Sequence, residues 1–187
     1  MEKGDFRSKK GFTIIEVALV LAIAGLIFMM VFIALPALQR SQRDSRRRDD
    51  IMVLVQTIKK FQSNNRGALP TDSGIATYMG GSLASEASWQ GFYNKYLGDD
   101  FIDPDGEHYA LDVVECGAAN ADAECTNSVA ASVRDSSFPF TVGGTKYVIV
   151  VVTQAVCSGE TTIRSTNPRN VAVLYRLEGA GTYCNNT

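Results

Sequence analysis

The sequence is almost without histidine, because His108 is the only one in the chain. A zinc site built from cysteines and histidines is therefore not expected, and no two of the four cysteines have C-x-x-C spacing. The sequence also lacks a G-x-S-x-G turn and a glycine-rich phosphate loop. His108 has no nucleophile beside it, so we predict a surface or strand-edge histidine rather than a general base. These absences indicate that the chain is not an enzyme.

The net charge of the chain is only −2, but the charge is unevenly distributed. The first eleven residues contain four basic and two acidic residues, whereas the remainder contains 14 basic and 18 acidic ones. An acidic main part argues against a general nucleic-acid-binding domain, so no specific nucleic acid is expected as a partner. The local exception is a group of five arginines, which we call the arginine group: Arg40, Arg43, Arg46, Arg47 and Arg48.

One long apolar run, Phe12–Leu38, contains no charged residue except Glu16. As a helix the run would measure about 40 Å, which exceeds the ~30 Å hydrocarbon core of a bilayer. A secretory signal peptide is a poor match, because the run is too long, no clean A-x-A site follows it and Glu16 interrupts its start. A plain signal anchor remains open. Glu16 needs a partner, because a carboxylate in hydrocarbon costs several kcal/mol.

All four cysteines lie in the C-terminal half of the chain, at positions 116, 125, 157 and 184. An even number downstream of a membrane segment fits two disulfides in an oxidising compartment, with reduced cysteines as the alternative. Of the three pairings, the spacing favours Cys116–Cys125 and Cys157–Cys184. Basic residues flank the apolar run on both sides and do not decide its orientation. The cysteines do, because they place the C-terminal domain outside and the N-terminus in the cytoplasm.

The helical pattern continues beyond the apolar run. Apolar residues recur on one helix face at Ile51, Leu54, Val55, Ile58 and Phe61. Asparagine and glycine at positions 64–67 then indicate a helix end. We therefore predict one helix from about Thr13 to about Asn64, with weak points at Gly25 and Pro36.

The arginine group lies on this helix, between the apolar run and the apolar stripe. Its simplest interpretation is a solvated face balanced by aspartates four residues away, in the pairs Arg40–Asp44, Asp44–Arg48 and Arg46–Asp50. Contact with anionic lipid headgroups, or with acidic faces of neighbouring subunits, is a second interpretation. DNA binding is a third, which the position at the foot of a membrane helix disfavours.

One segment resembles the N-terminus of type IV pilins and pseudopilins: Lys9-Lys10-Gly11-Phe12-Thr13-Ile14-Ile15-Glu16-Val17. The resemblance covers about the first forty residues, and the short leader is closest to the type IVa subgroup. It implies that a prepilin peptidase and N-methyltransferase cuts after Gly11 and methylates Phe12. It also implies that Glu16 pairs with the freed amine of Phe12 in a neighbouring subunit. Such a pair would supply the cation that a buried carboxylate needs.

The predicted organisation has four parts: a cleaved leader at 1–11, a transmembrane and filament-core helix at 12–38, an amphipathic continuation at 39–66, and a β-rich head at 67–187. The resemblance implies a single-pass precursor in the cytoplasmic (inner) membrane, with its head outside. After assembly the same chain would lie in an extracellular pilus on the cell surface.

We predict an α+β fold, in which the amphipathic half of the helix packs on an antiparallel sheet of about four strands. Three strands are indicated at Tyr109–Val114, Lys146–Thr153 and Val171–Leu177. The second of them is apolar on both faces and should be central. A fourth, Phe138–Val142, would lead into it through a hairpin turn at Gly143-Gly144, and Pro139 makes that strand an edge.

Two further segments of the head have alternative interpretations. A short helix is predicted at Leu83–Leu97, and it contains four aromatic residues: Trp89, Phe92, Tyr93 and Tyr96. These residues either pack on the core or form a carbohydrate- or surface-binding patch. The acidic run at 103–107 is predicted as a β-turn before a strand. Because some related pseudopilins bind calcium near a similar Asp-Pro-x-Gly stretch, the resemblance adds calcium as an alternative, with oxygen ligands from Asp103, Asp105 and Glu107. No other cofactor or metal is predicted.

The function that the resemblance implies is that of a structural pilus subunit, which forms a helical homo-oligomer for motility, adhesion or DNA uptake. Its partners would include the membrane, the assembly platform and minor pilins. A pseudopilin or minor pilin of a type II secretion or competence machine is the alternative. A second alternative is a membrane-anchored extracytoplasmic binding domain that never polymerises and keeps residues 1–11.

Overall fold

A computed structural model describes residues 11–79, 85, 87–179 and 181–187. The chain divides into two compact units, Met1–Gln39 and Arg40–Thr187, and we call the second one the head unit. The long helix α1, Ile14–Asn64, contributes to both. The head unit therefore begins within α1 at Arg40, whereas the sequence analysis begins the head at residue 67. The rest of the predicted leader, with Lys9 and Lys10, lies outside the described residues.

The first unit contains the apolar run as the N-terminal part of α1. Its large apolar side chains are exposed, with 89% of Phe12 and 92% of Ile14 accessible. α1 is continuous through Gly25 and Pro36, the two predicted weak points. This helix is long enough and apolar enough to cross a membrane, judged by length and composition.

In the head unit, one face of α1 forms part of the hydrophobic core. The predicted apolar stripe is buried, with at most 4% of any side chain exposed: Ile51, Leu54, Val55, Ile58 and Phe61. The helix ends at Asn64, and the N–H of Gly67 then donates to the carbonyl oxygen of Gln62 at 2.7 Å. Arg66 and Gly67 have positive φ values of 56° and 82°, as in left-handed helix ends. The predicted helix and its end are confirmed.

The other part of the core is a five-stranded sheet. Its strands are β1 (Gly74–Ala76), β2 (Ala110–Glu115), β3 (Val148–Thr153), β6 (Val171–Arg176) and β7 (Thr182–Asn186). They lie in the order β1-β2-β3-β6-β7, so β3 is central, as predicted. Alternate residues of β3 contribute to a core on each face of the sheet. Ile149 and Val151 lie in the core that includes α1, and Val148, Val150 and Val152 lie in the opposite one.

The sheet is antiparallel at three of its four strand pairs, but β2 and β3 are parallel. A parallel pair requires a long crossover. Here the crossover contains helix α3, Ser128–Asp135, which packs in the core opposite α1. The predicted strand at Phe138–Val142 does not form. Val142 forms an isolated bridge with Thr145 across the predicted turn at Gly143-Gly144, through N–H···O bonds of 3.0 and 2.9 Å. The carbonyl oxygen of Phe140 accepts a single hydrogen bond from the N–H of Val148, at 3.2 Å.

A short helical segment covers the part of the core that contains α1. Its aromatic side chains pack as the first interpretation predicts, because Trp89, Phe92 and Tyr93 are buried and the Tyr96 ring lies 5.6 Å from that of Phe61. Leu83, where the predicted helix begins, lies outside the described residues. The observed elements are α2 (Trp89–Phe92), a π-helical turn (Tyr93–Leu97) and a 3-10 turn (Gly98–Asp100).

Two disulfides fasten the side of the sheet that faces away from α1. Cys116 pairs with Cys125, with 4.7 Å between their Cα atoms, and Cys157 pairs with Cys184 at 5.8 Å. These are the pairs that the spacing favours. The second bridge joins a two-stranded hairpin to the sheet edge at β7. The hairpin consists of β4 (Ala155–Ser158) and β5 (Thr161–Arg164).

The core contribution of α1 predicts which fragment of the chain folds. Residues 40–187 should unfold cooperatively in urea, whereas residues 67–187 should not, because they lack the buried face of α1. Truncation of one core Leu or Ile to Ala lowers the free energy of unfolding by about 2–5 kcal/mol. The loss of several such side chains is therefore comparable with the whole stability of a domain. Circular dichroism of both oxidised fragments is the measurement. Both keep all four cysteines, and a cooperative transition of 67–187 at the same midpoint would contradict the assignment.

Candidate functional site

The start of α1 holds the residues that the resemblance marks for processing and assembly. Gly11, Phe12 and Thr13 precede the first helical residue, Ile14, and all of them are exposed. Nothing described lies within 4 Å of the position that a side chain at Gly11 would take. The peptide bond between Gly11 and Phe12 is therefore open to approach among the described residues.

Glu16 and Thr13 form a capping box at the N-terminus of α1. Oε2 of Glu16 accepts hydrogen bonds from the N–H and the Oγ1 of Thr13, both at 2.9 Å. In return, the N–H of Glu16 donates to Oγ1 of Thr13 at 3.3 Å. The pair thereby satisfies two backbone donors of the helix start. The sequence analysis missed this pair, although T-x-x-E before an apolar run is its signature.

The capping box leaves part of the Glu16 carboxylate free. Only Oε2 takes part in the bonds to Thr13, and Oε1 has no hydrogen-bond partner in the described part of the chain. The positive end of the helix dipole favours a negative charge at this position. The carboxylate is therefore held in place by its own helix while one oxygen stays available to an external donor.

A second charged site lies in the head unit, around the buried guanidinium of Arg47. Its Nε and Nη2 donate to Asp103 at 2.8 and 2.9 Å, and Nη2 also donates to Asp105 at 3.0 Å. Nη1 donates to Asp44 at 3.1 Å and to Glu178 at 3.2 Å. We call these five residues the Arg47 cluster. It joins α1 to the acidic run and to the turn between β6 and β7.

Arg43 and the backbone of that turn complete the attachment. Arg43 donates to both carboxylate oxygens of Glu178, at 2.9 and 2.6 Å. Asp44 accepts hydrogen bonds from the N–H groups of Glu178 and Gly179, at 3.0 and 2.7 Å. A Cβ at Gly179 would lie only 2.8 Å from Oδ2 of Asp44, so a larger residue there would displace this carboxylate. Arg43 and Asp44, on one turn of α1, therefore both bind the β6–β7 turn.

The protonation states follow from these contacts. Burial by itself would lower the pKa of Arg47, but the hydrogen bonds and the charge of Asp103 raise it above its usual value. The hydrogen bond from Arg43 lowers the pKa of Glu178. Burial raises the pKa of Tyr175, which stays protonated and donates to Asp103 at 3.1 Å. In the cluster, Arg47 and Glu178 are therefore both held in their charged forms.

The interpretation of the arginine group as a solvated face is wrong for Arg47. This side chain is fully buried, and Arg40 and Arg43 pair with Glu178 rather than with residues of their own helix. None of the three predicted i,i+4 ion pairs occurs among the described residues. The sequence signal was present nevertheless. Arg47 lies four and seven residues before Ile51 and Leu54, on the same buried face.

The acidic run forms the predicted β-turn, because the N–H of Gly106 donates to the carbonyl oxygen of Asp103 at 2.7 Å. Of the three calcium candidates, Asp103 and Asp105 bind Arg47, and Glu107 is exposed. No group of three metal-ligating side chains occurs among the described residues. His108 forms an isolated β-bridge with Ile102, and its ring stacks on Tyr78 at 4.5 Å, as expected of a strand-edge histidine.

The burial difference between two neighbouring arginines predicts different effects on stability. Arg47→Met should lower the free energy of unfolding by about 3–5 kcal/mol, because it leaves buried carboxylates without a cation. Arg43→Met, the matched control, removes a partly exposed, solvent-screened pair and should cost clearly less. Urea unfolding of both variants in the 40–187 fragment is the measurement. Equal losses would contradict the cluster as the main electrostatic attachment of α1.

A comparison with protein-family models matches residues 6–32 to the prokaryotic N-terminal methylation motif. The matched segment includes Gly11, Phe12 and the Thr13–Glu16 capping box. No curated protein and no solved structure gives a significant match to the chain. From Gly11 onward, the matched residues are those at the exposed start of α1 and along the apolar run. The chain therefore carries, at residues 6–32, the prepilin signature of the type IV pilin and pseudopilin family.

Proposed function

We propose that the chain is a structural subunit of a type IV pilus, processed after Gly11, N-methylated at Phe12 and polymerised through its N-terminal helix into a surface filament. The observation that carries the proposal is the methylation motif at the start of a helix with two kinds of surface. Up to Gln39 that helix exposes its apolar side chains, and from Arg40 it belongs to a folded head.

The apolar run supports both a membrane-bound precursor and a filament. A helix that is apolar on all sides is stable in lipid or among other apolar helices, and not in water. The precursor would therefore span the cytoplasmic membrane once. When the subunit leaves the bilayer, bundling with copies of the same helix would bury this surface again, at about 25 cal/mol per Å² of apolar area. The filament core would consist of these helices, and the heads would form its outer surface.

The Glu16 carboxylate supports a fixed register within that core. Cleavage after Gly11 would free the amine of Phe12, and the open oxygen Oε1 of Glu16 in a neighbouring subunit would accept a hydrogen bond from it. An unpaired carboxylate among packed apolar helices is expensive, so any register without this pair is disfavoured. The ion pair would thus select the axial position of each new subunit.

The partners of such a subunit are the prepilin peptidase and N-methyltransferase, the assembly platform and minor pilins. The family is structural, and the head would serve motility, adhesion or DNA uptake through its exposed surface rather than through catalysis. Surface fibres sheared from cells should contain this chain, beginning at N-methyl-Phe12. A processed chain without any surface fibre would instead assign it to a pseudopilin of a secretion or competence machine, and a chain that keeps residues 1–11 would exclude both.

The first processing prediction concerns Gly11. Gly11→Asp should leave the precursor uncleaved, because a peptidase that reads a glycine before the cut has no room for a charged side chain. Mass spectrometry of the membrane fraction should then show a chain that still contains residues 1–11. Ser8→Asp, three residues before Gly11, is the matched control and should be cleaved. Mature protein beginning at Phe12 in the Gly11→Asp variant would contradict the assigned cut.

The assembly prediction separates the two roles of Glu16. Glu16→Gln keeps an oxygen that can cap the helix start but removes the charge, so the chain should insert into the membrane and yet fail to enter filaments. Thr13→Ala removes the capping hydroxyl, at about 1 kcal/mol, but keeps the carboxylate. It should still assemble. Immunoblots of membrane and fibre fractions measure both steps, and normal fibres from Glu16→Gln would refute the register pair.

A further inference from the structure

A cleft of about 330 Å³ lies in the head unit, where the parallel strands β2 and β3 end, and we call it the β2–β3 cleft. β2 ends at Glu115 and β3 at Thr153, and both residues line the cleft. Parallel strands have their carboxyl ends at the same edge of a sheet, and open α/β sheets bind ligands at that edge. The volume falls at the lower end of the range for small-molecule sites, roughly 300–1,000 Å³.

Part of the lining of the β2–β3 cleft is apolar. It includes Leu69, Pro70, Trp89 and Pro168, and Trp89 is the only tryptophan of the chain. Pro70 and Trp89 are themselves buried. The N–H of Trp89 donates to the carbonyl oxygen of Thr71 at 3.2 Å, which fastens the segment after Pro70 to the start of α2. The apolar part of the lining is therefore held in place by the core.

The polar part of the lining is rich in hydrogen-bond acceptors. Asp72 and Glu115 are exposed, and neither carboxylate forms a hydrogen bond or an ion pair within the described part of the chain. Oγ1 of Thr153 donates to the carbonyl oxygen of Val114 at 3.4 Å, so this hydroxyl can only accept from a ligand. Ser73 adds a hydroxyl that can donate or accept. Such a lining suits a ligand with several donors.

Among the described residues, no lysine or arginine lines the β2–β3 cleft. Nη2 of Arg164 donates to Oε1 of the lining residue Gln154 at 3.0 Å, and its Nη1 donates to the carbonyl oxygen of Ala118. The guanidinium of Arg169 lies against Gly67. Neither arginine forms an ion pair with a carboxylate of the cleft in the part of the chain that the structure describes. A cation bound there would therefore lower the electrostatic energy of the head unit.

The backbone has an unusual conformation at two residues that line the cleft. The φ angle is 72° at Asp72 and 57° at Gln154, in the left-handed region that most residues other than glycine avoid. Such conformations cost free energy and persist where the surrounding structure fixes them, often at ligand sites. The N–H of Ser165 donates to the carbonyl oxygen of Gln154 at 2.8 Å and so fixes one of the two. Both observations support the cleft as a defined feature of the fold.

We propose that the β2–β3 cleft binds an ammonium or guanidinium group on an apolar stem, the chemistry that a polyamine shares with a basic side chain of a peptide. The cation would bind to Asp72 and Glu115. Its stem would pack on Leu69, Pro70 and Pro168, as the stems of lysine and arginine do on apolar surfaces. A neutral sugar is disfavoured, because a carboxylate cannot donate to its hydroxyl oxygens. The site lies entirely in the head unit, so the proposal is independent of the proposed function.

The single tryptophan reports directly on the cleft. The full-length chain in neutral detergent micelles is titrated with spermidine and, separately, with N-acetyl-lysine methylamide. A saturable change in Trp89 fluorescence is expected. N-acetyl-norleucine methylamide has a similar stem without the ammonium group and should bind about tenfold or more weakly, since it cannot form charge-assisted hydrogen bonds. Equilibrium dialysis against each amine measures the same binding without relying on fluorescence.

Two double variants locate the binding. Asp72→Asn/Glu115→Gln should weaken the binding of the amines about tenfold, because it removes both negative charges of the cleft. Asparagine tolerates a positive φ, so the backbone at residue 72 should be kept. Asp100→Asn/Glu107→Gln is the matched control, because it removes two exposed charges outside the described lining and leaves the same net charge. It should bind like the wild type.

The outcomes separate the sources of the ligand and the alternatives to it. Binding of spermidine alone would identify a free polyamine, and binding of the lysine derivative alone would identify a peptide side chain. Equal binding of the norleucine derivative, equal binding by the two double variants, or no binding of either amine in dialysis would overturn the cation site. A saturable response to maltose without one to either amine would assign the cleft to a carbohydrate and overturn the proposal. Missing surface fibres would contradict only the proposed function.

Discussion

α1 has to suit two different surroundings, and the rest of the structure depends on how it does so. Up to Gln39 the helix exposes apolar side chains on all sides, which suits lipid or other helices. From Arg40 it belongs to the head, which buries only one of its faces under the sheet. Because the two stretches form one helix, every process that moves the first stretch out of a bilayer also moves a folded head.

The Arg47 cluster lies near the start of the part of α1 that belongs to the head unit. A buried guanidinium is tolerated only where several acceptors surround it, and here they come from α1, the acidic run and the β6–β7 turn. The chain therefore provides its own cation to Asp103 and Asp105. The same contacts fix where those segments lie along α1.

Two features of the N-terminal part of α1 are only partly satisfied by the described residues of one copy of the chain. Glu16 keeps one free carboxylate oxygen, and the large side chains of the apolar run are exposed. Each of them would find its complement on another copy that is shifted along the helix. Burial supplies the larger energy in such a polymer, whereas charge pairs select the register, because a misplaced charge costs more than a correct pair contributes.

The sequence by itself determined the features that depend on neighbouring residues. The motif around Gly11 and Glu16, the apolar run, the stripe that ends at Phe61 and the central strand β3 all follow from local patterns of composition or period. The tertiary structure alone decided the parallel pairing of β2 with β3 and the loss of the strand at 138–142. It also decided the partners of Arg47. The position of Arg47 on the buried helix face can be derived from the sequence, but Asp103 lies 56 residues away. Which carboxylate reaches a buried arginine is set by the packing of whole segments, and no local pattern contains that information.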